Sequence, residues 1–133
     1  MPEQKTILII DDSELTRSSL HDALTERGFA ALTAANGQEG LARIQKGAPD
    51  VVLMDVVMPV MDGWETCRQI RAAANLQSVP IIIMTHKNTP QDLLRAFEVG
   101  ANEFLGKPID MEELFRVIDL HIQRRLDGTA GLR

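Results

Sequence analysis

Acidic residues and one lysine follow apolar, strand-like runs at positions where they could act together. Asp11 and Asp12 follow the first run, Asp55 follows the third, and Lys107 follows the fifth. Carboxylates about 5 Å apart repel one another by roughly 3 kcal/mol per pair at an effective dielectric constant near 20, so the site requires positive charge. Magnesium ions prefer carboxylate oxygens and phosphate oxygens as ligands, and Lys107 adds a further cation. The pattern predicts a magnesium-dependent site that receives a phosphoryl group.

One of these carboxylates must be the nucleophile. Asp11 and Asp12 are adjacent and can share a metal ion, one directly and one through water, whereas Asp55 stands alone. Asp55 is therefore the predicted phosphoacceptor, and the surrounding protein would supply positioning and electrostatics. Thr85, which follows the fourth run, is expected at the same edge. Each residue alone is ordinary at a strand end, and Asp12 could instead cap the first helix, but their joint placement favours an active site.

The elements that must position these residues appear as apolar runs separated by helical periodicity. The first, third and fourth runs are continuous and rich in β-branched residues, which is typical of strands covered on both faces. Right-handed crossovers between such units make a doubly wound, five-stranded parallel α/β sheet, with the site at the carboxyl ends of its strands. The predicted strands are 6–10, 29–33, 51–54, 80–84 and 103–105.

Helix boundaries agree with this periodicity. N-cap residues are followed three positions later by an acidic residue, or by proline at the first helical position. The predicted N-caps are Asn36, Asp62, Thr89 and Asp110. Three glycines are expected to close helices in the left-handed conformation. They are Gly28, Gly47 and Gly100.

Composition bounds the remaining possibilities. With 133 residues, 44% of them hydrophobic and 25% charged, the chain is typical of one globular domain. We predict a domain over 1–126, and a flexible C-terminal tail or the start of a linker over 127–133.

No apolar run approaches the roughly 20 residues needed to cross a bilayer. A net charge of −5 argues against a nucleic-acid partner, and the single cysteine, Cys67, fits a reducing cytoplasm.

Four short motifs resemble the signatures of the response-regulator receiver family. They are IIDDS at 9–13, LMDVVMPVMDG at 53–63, MT at 84–85 and GKP at 106–108. The resemblance extends over residues 5–124 and implies a flavodoxin-like (βα)5 receiver fold. It also implies that Asp55 takes phosphate from a histidine kinase or a histidine phosphotransfer protein. Asp12, Asp55 and the backbone carbonyl of Val57 would ligate Mg²⁺, or Mn²⁺ in its place, and Asp11 would assist.

The same resemblance implies a switch. The Thr85 hydroxyl and the Lys107 ammonium would bind phosphoryl oxygens, and the peptide bond between Lys107 and Pro108 would be cis. Movement of Thr85 would open space for Phe104, which stands at the family's aromatic switch position, and would reshape the surface of the fourth helix, fifth strand and fifth helix. Such a protein, a monomer or weak homodimer, would catalyse only its own phosphorylation and dephosphorylation.

Three residues at the rim depart from the family pattern. Val57 cannot hold or orient a water molecule through its side chain, and Lys87 is long enough to cover the site, so slow loss of the phosphoryl group is predicted. His86 occupies a position that is usually small, and its imidazole would gate access or contact the donor. The alternative is that His86 is a solvent-facing loop residue.

Other classes fit less well. A phosphatase of the haloacid-dehalogenase type needs two aspartates spaced by one residue on the first strand, which Asp11-Asp12-Ser13 does not provide. A flavodoxin-like nucleotide or flavin binder needs a phosphate-binding loop rich in Gly, Ser and Thr, whereas this loop is acidic. A receiver-like module that binds a partner without being phosphorylated remains the main alternative.

Overall fold

In residues 4–128, the part of the protein that its computed structural model describes, five strands and five α-helices alternate along the chain. The predicted tail falls mostly on 129–133, outside the described residues. The elements are β1 (Thr6–Ile10), α1 (Glu14–Glu26), β2 (Ala30–Ala34), α2 (Gly37–Lys46), β3 (Val51–Met54), α3 (Gly63–Ala72), β4 (Ile81–Thr85), α4 (Pro90–Glu98), β5 (Glu103–Gly106) and α5 (Met111–Leu126).

The strands form one parallel sheet in the order β2-β1-β3-β4-β5, which confirms the predicted doubly wound fold. Two strands are shifted by one residue: β2 and β4 each begin and end one position later than predicted, and β5 ends one position later. For β2 the reason is visible at Phe29, whose N–H donates to the Leu24 carbonyl at 3.1 Å and so still belongs to the end of α1.

Every residue of β3 and β4 is buried, because helices cover both faces of the sheet centre. Alternate strand residues enter two separate cores. Leu8, Val52 and Ile83 pack on the side of α2, α3 and α4. On the opposite side, Ile9 and Ile82 pack against α1 and α5.

The helix ends follow the predicted capping chemistry with one exception. Gly47 has an extended φ of 176°, so the prediction of a left-handed residue there was wrong. The N-cap of α1 is Ser13, whose Oγ accepts the Thr16 N–H at 3.2 Å, and this excludes the alternative that Asp12 caps the helix. The Gly47 N–H closes α2 by donating to the Ile44 carbonyl, and the chain leaves in an extended conformation. Gly28 and Gly100 do adopt positive φ.

The guanidinium of Arg71 ties together the end of the sheet opposite the predicted site. Its Nε donates to the Gly100 carbonyl at 2.8 Å, and its Nη1 donates to the Leu76 carbonyl at 2.9 Å. Its Nη2 donates to Asn102 Oδ1 at 2.7 Å, and the same oxygen accepts the Ile81 N–H at 2.9 Å. One side chain of α3 therefore anchors the starts of β4 and β5 and the end of α4.

None of the helices within residues 4–128 is long and apolar enough to cross a membrane.

Candidate functional site

The Lys107 ammonium bridges two carboxylates at the carboxyl ends of the strands. Its Nζ lies 2.7 Å from Asp11 Oδ2 and 2.8 Å from Asp55 Oδ2. Asp11 is fully buried, and Asp55 is 7% exposed. The sequence prediction that these charges meet at one edge of the sheet agrees with this geometry.

Backbone hydrogen bonds that extend past the strand ends explain the alignment. The Asp11 N–H donates to the Ala34 carbonyl at 3.1 Å, and the Asp55 N–H donates to the Ile10 carbonyl at 3.0 Å. The Lys107 N–H donates to the Thr85 carbonyl at 2.9 Å. These bonds continue the parallel ladders, so residues from distant parts of the sequence are held in register at the switch point between β1 and β3.

Asp12 completes a cluster of three carboxylates. One carboxylate oxygen from each of Asp11, Asp12 and Asp55 lies within 4.8 Å of the other two. Asp12 is exposed at the cleft. Hard oxygen donors of this kind are what Mg²⁺ prefers, and one ammonium offsets only part of their combined charge. The donor set fits a magnesium ion.

The cluster opens into a cleft of about 400 Å³. Ser13 and Thr16 from the start of α1 line it together with Val57, Thr85 and His86. The sequence did not predict that Ser13 and Thr16 line the cleft, although a serine directly after the two aspartates is a recognisable N-cap.

The electrostatics of the cleft keep Lys107 charged. Burial lowers the pKa of its ammonium, but hydrogen bonds and charges from Asp11 and then Asp55 outweigh this effect and leave the pKa above its usual range. Lys107 is therefore a permanent cation at neutral pH.

The loop after Asp55 is tightly built. Gly63, the first residue of α3, has no room for a side chain, because a Cβ there would lie 2.4 Å from the Asp55 carbonyl oxygen. Val60 adopts a φ of 70°, a left-handed conformation that is rare for a β-branched residue, and its side chain is exposed. The backbone after Asp55 is therefore held in a fixed conformation that includes local strain at Val60.

Thr85 and Phe104 lie on neighbouring strands with their side chains on the same face of the sheet. Thr85 is opposite Gly106 in the ladder, two positions beyond Phe104. Thr85 is fully buried, and its Oγ1 accepts the Lys87 N–H at 3.1 Å. Phe104 is half-buried against the core on the side of α2, α3 and α4.

The three rim residues differ in their placement. Val57, which is 58% exposed, and the exposed His86 line the cleft. Lys87 is not among the lining residues in the described part of the chain. Its charge acts on Asp92 of α4, where the Thr89 hydroxyl chiefly lowers the pKa of the carboxyl and Lys87 adds a smaller effect. The Lys107–Pro108 peptide bond is cis.

An apolar groove beside the cleft was not predicted. It has a volume of about 330 Å³ and shares Thr16, His86 and Lys107 with the cleft. Its apolar lining includes Leu15, Leu20 and Met111. The signal that sequence reasoning missed is Leu15, a leucine in the first turn of α1 that is 77% exposed.

Fold and cleft define a class: a flavodoxin-like α/β domain with a lysine-bridged carboxylate site at its topological switch point. The model of the response regulator receiver domain family matches residues 7–119. The chain belongs to this family, whose members act in two-component phosphorelay signalling.

Individual proteins of known sequence or structure are also similar to the chain over most of its length. The chain is 39% identical over 113 residues to Protein PilH of Pseudomonas aeruginosa, covering 85% of this chain and 93% of PilH. The solved structure of chemotaxis protein CheY4 of Vibrio cholerae is 33% identical, with a TM-score of 0.85, and the match covers 89% of this chain and 98% of that one.

The receiver domain of sensor histidine kinase PA1611 of P. aeruginosa, solved with a magnesium ion coordinated in its active-site cleft, is 29% identical. Its TM-score is 0.84, and the match covers 91% of this chain and 99% of that one. Several other curated relatives are longer, and the chain spans about half of their length.

Proposed function

We propose that Asp55 is the phosphoacceptor of this receiver domain and that its donor is a histidine kinase or a histidine phosphotransfer protein. The observation that supports this proposal is that Asp55 is bonded to Lys107 and also lines the open cleft. Asp11 is fully buried, and its two oxygens accept the Ser13 N–H and the Lys107 ammonium. Asp12 is exposed and belongs to no ion pair found in residues 4–128. Both oxygens of Asp55 are also bonded, to the Val57 N–H and the Lys107 ammonium, so Asp55 is favoured over Asp11 by its exposure to the cleft. It is favoured over Asp12 by its contact with Lys107.

Asp12, Asp55 and the Val57 carbonyl would hold Mg²⁺, or Mn²⁺ in its place, with Asp11 assisting from behind. The bound ion would neutralise charge on the phosphoryl oxygens. The acidic cluster of this chain and the magnesium ion in the PA1611 receiver domain support this assignment.

The transfer is a single displacement at phosphorus. An Asp55 carboxylate oxygen forms the new bond to phosphorus while the bond to the donor imidazole nitrogen breaks, and the imidazole leaves with the electron pair. The Lys107 ammonium, held charged by Asp11 and Asp55, then interacts with a phosphoryl oxygen. The domain turns over no other substrate in this proposal.

The signal would leave the site through Thr85. Its hydroxyl can donate to a phosphoryl oxygen, which draws the side chain away from the Lys87 N–H that Thr85 Oγ1 accepts in this structure. Phe104, on the same face of the sheet, would then repack, and the surface formed by α4, β5 and α5 would change for an output protein. Exposed leucines on that surface, Leu93 and Leu94 of α4 and Leu120 of α5, supply apolar contact area. We place this exchange in the cytoplasm, with the chain as a monomer or weak homodimer.

Intact-mass spectrometry after incubation with acetyl phosphate and MgCl₂ tests the acceptor. We expect a gain of one phosphoryl group, about 80 Da, that is absent in Asp55→Asn and in the presence of EDTA. Asp22→Asn, which removes an exposed carboxylate elsewhere on α1, is the matched control and should be phosphorylated normally. A gain that persists in Asp55→Asn would refute the assignment. No gain with either acetyl phosphate or a phosphorylated histidine donor would favour an interaction module that works without phosphorylation.

A further inference from the structure

One edge of the sheet is open and chemically unprotected. Within residues 4–128, β2 pairs with β1 alone, so its other side carries no strand. Edge strands are usually protected from pairing by charged residues, proline or bulges. The segment Ala30–Ala34 reads AALTA and contains neither charge nor proline. At the opposite edge, β5 carries Glu103, whose carboxylate lies 3.0 Å from His121 Nε2.

The backbone groups that face outward on β2 can be identified from those that face inward. The Ala30 N–H donates to the Lys5 carbonyl at 2.9 Å, and the Ala34 carbonyl accepts the Asp11 N–H at 3.1 Å. In an extended strand the backbone groups of successive residues point to opposite sides. Ala31 and Thr33 therefore present their N–H and C=O groups outward.

These outward groups are self-complementary about Leu32. If a second β2 lies antiparallel with Leu32 opposite Leu32, Ala31 of each strand is opposite Thr33 of the other. Each such pair exchanges both backbone hydrogen bonds, as in a hydrogen-bonded antiparallel pair. The inward-facing groups of Ala30 and Ala34 stay bonded to the β1 side.

The side chains beside β2 are also arranged so that two copies related by a two-fold axis at Leu32 would match each other. Leu32 is 37% exposed and faces a groove of about 450 Å³ along α2. That groove is acidic at Glu39 and basic at Arg43 and Lys46. Because α2 runs antiparallel to β2, Glu39 lies towards the carboxyl end of the strand and Lys46 towards the amino end.

We propose that this edge is a docking surface for a second copy of the chain, which joins the two sheets through β2. The two-fold axis passes at Leu32, perpendicular to the sheet. It brings the carboxyl end of one β2 next to the amino end of the other, so Glu39 of each copy faces Arg43 and Lys46 of the other. The antiparallel strand bonds, the Leu32 pair and the charge pairing all require the same register. The surface is small, so the association is weak and concentration-dependent.

Sedimentation equilibrium from about 10 μM to about 1 mM, with no phosphate donor or metal present, tests the proposal. We expect a monomer–dimer equilibrium, and amide hydrogen exchange at Ala31 and Thr33 that slows as the concentration rises. Leu32→Lys places like charges opposite each other on the axis and should abolish the dimer, while the partly exposed position tolerates lysine in the monomer. Leu120→Lys, at a leucine 40% exposed on α5, is the matched control and should dimerise like the unaltered chain.

Charge reversal gives a second, independent readout. Glu39→Lys should weaken the dimer at least several-fold, as should the double change Arg43→Glu with Lys46→Glu. A mixture of the two variants should restore association by pairing opposite charges. A chain that stays monomeric up to about 1 mM overturns the proposal. A dimer that survives Leu32→Lys, or is lost in Leu120→Lys instead, also overturns it. Neither result depends on whether Asp55 is phosphorylated.

Discussion

The Nζ atom of Lys107 lies 2.8 Å from Oδ2 of Asp55, although the two residues are 52 positions apart in the sequence. In this structure the ammonium neutralises two carboxylates, and in the proposed reaction it would interact with the incoming phosphoryl group.

Removing this cation should destabilise the domain. We expect Lys107→Met to lower the free energy of unfolding by about 2 kcal/mol, less than for a fully buried ion pair because the cleft is open to water. MgCl₂ should restore part of that loss. Urea unfolding with and without MgCl₂ measures both effects, and Lys5→Met, at the other end of β1, is the control. An unchanged stability in Lys107→Met would show that the carboxylates do not need the ammonium.

Removing the charge of Asp12 should have the opposite effect on the stability of the metal-free domain. It is the exposed member of the carboxylate cluster, so Asp12→Asn relieves repulsion and should raise the metal-free stability by about 1 kcal/mol, with solvent screening reducing the effect. The same change should weaken the stabilisation by MgCl₂, because a ligand is lost. Thermal unfolding across a magnesium titration checks both signs, with Asp22→Asn as the control. A variant less stable without metal would contradict this account.

Val57 sets the predicted phosphate lifetime. Its exposed side chain lines the cleft but cannot orient a water molecule for attack on the acyl phosphate. We expect Val57→Asn to shorten the half-life of phosphorylated Asp55 several-fold, measured by intact mass after the donor is removed. Val57→Ala, which offers no hydrogen bond, should leave the half-life nearly unchanged. Equal half-lives for the asparagine and valine forms would remove Val57 from the rim mechanism.

His86 forms part of both the cleft and the neighbouring apolar groove. If it gates access, His86→Ala should speed phosphorylation by acetyl phosphate by several-fold. If it contacts a protein donor, the same variant should slow transfer from a histidine phosphotransfer protein. Comparing the two donors in parallel separates these roles. Rates unchanged with both donors would identify His86 as a solvent-facing residue.

The left-handed backbone conformation of Val60 is predicted to destabilise the domain, and a suitable substitution should relieve this strain. Asparagine tolerates the left-handed region far better than a β-branched residue, so Val60→Asn should raise the free energy of unfolding by about 1 kcal/mol. Urea unfolding measures the change. Val57→Asn places the same residue at the other exposed valine of this loop and should not stabilise the domain.

The features predicted from the sequence are those that depend on local pattern. Buried β-branched runs indicated β1, β3 and β4, and the position after each run placed Asp11 and Asp55 at one edge of the sheet. Local ambiguity left one alternative open and produced one error. Asp12 and Ser13 are both good caps, and only the geometry of α1 selects Ser13. Gly47 is followed by a chain that leaves in an extended conformation, which its glycine does not reveal.

The sequence predicted which charged residues meet, but not which of their atoms pair. Nothing near Lys107 indicates that its ammonium is shared between Asp11 and Asp55, since the pairing depends on how three ladders end. The apolar groove beside the cleft is formed by α1 and the segment before α5, so its existence depends on packing that a single sequence does not display.

The hydrogen bonds of Arg71 hold one end of the sheet in place. They clamp the starts of β4 and β5 and the C-terminal end of α4, while Thr85 and the N-terminal end of α4 lie at the other end of the same elements. If Thr85 moves as proposed, we therefore expect the N-terminal end of α4 to shift more than its C-terminal end, so that the helix tilts.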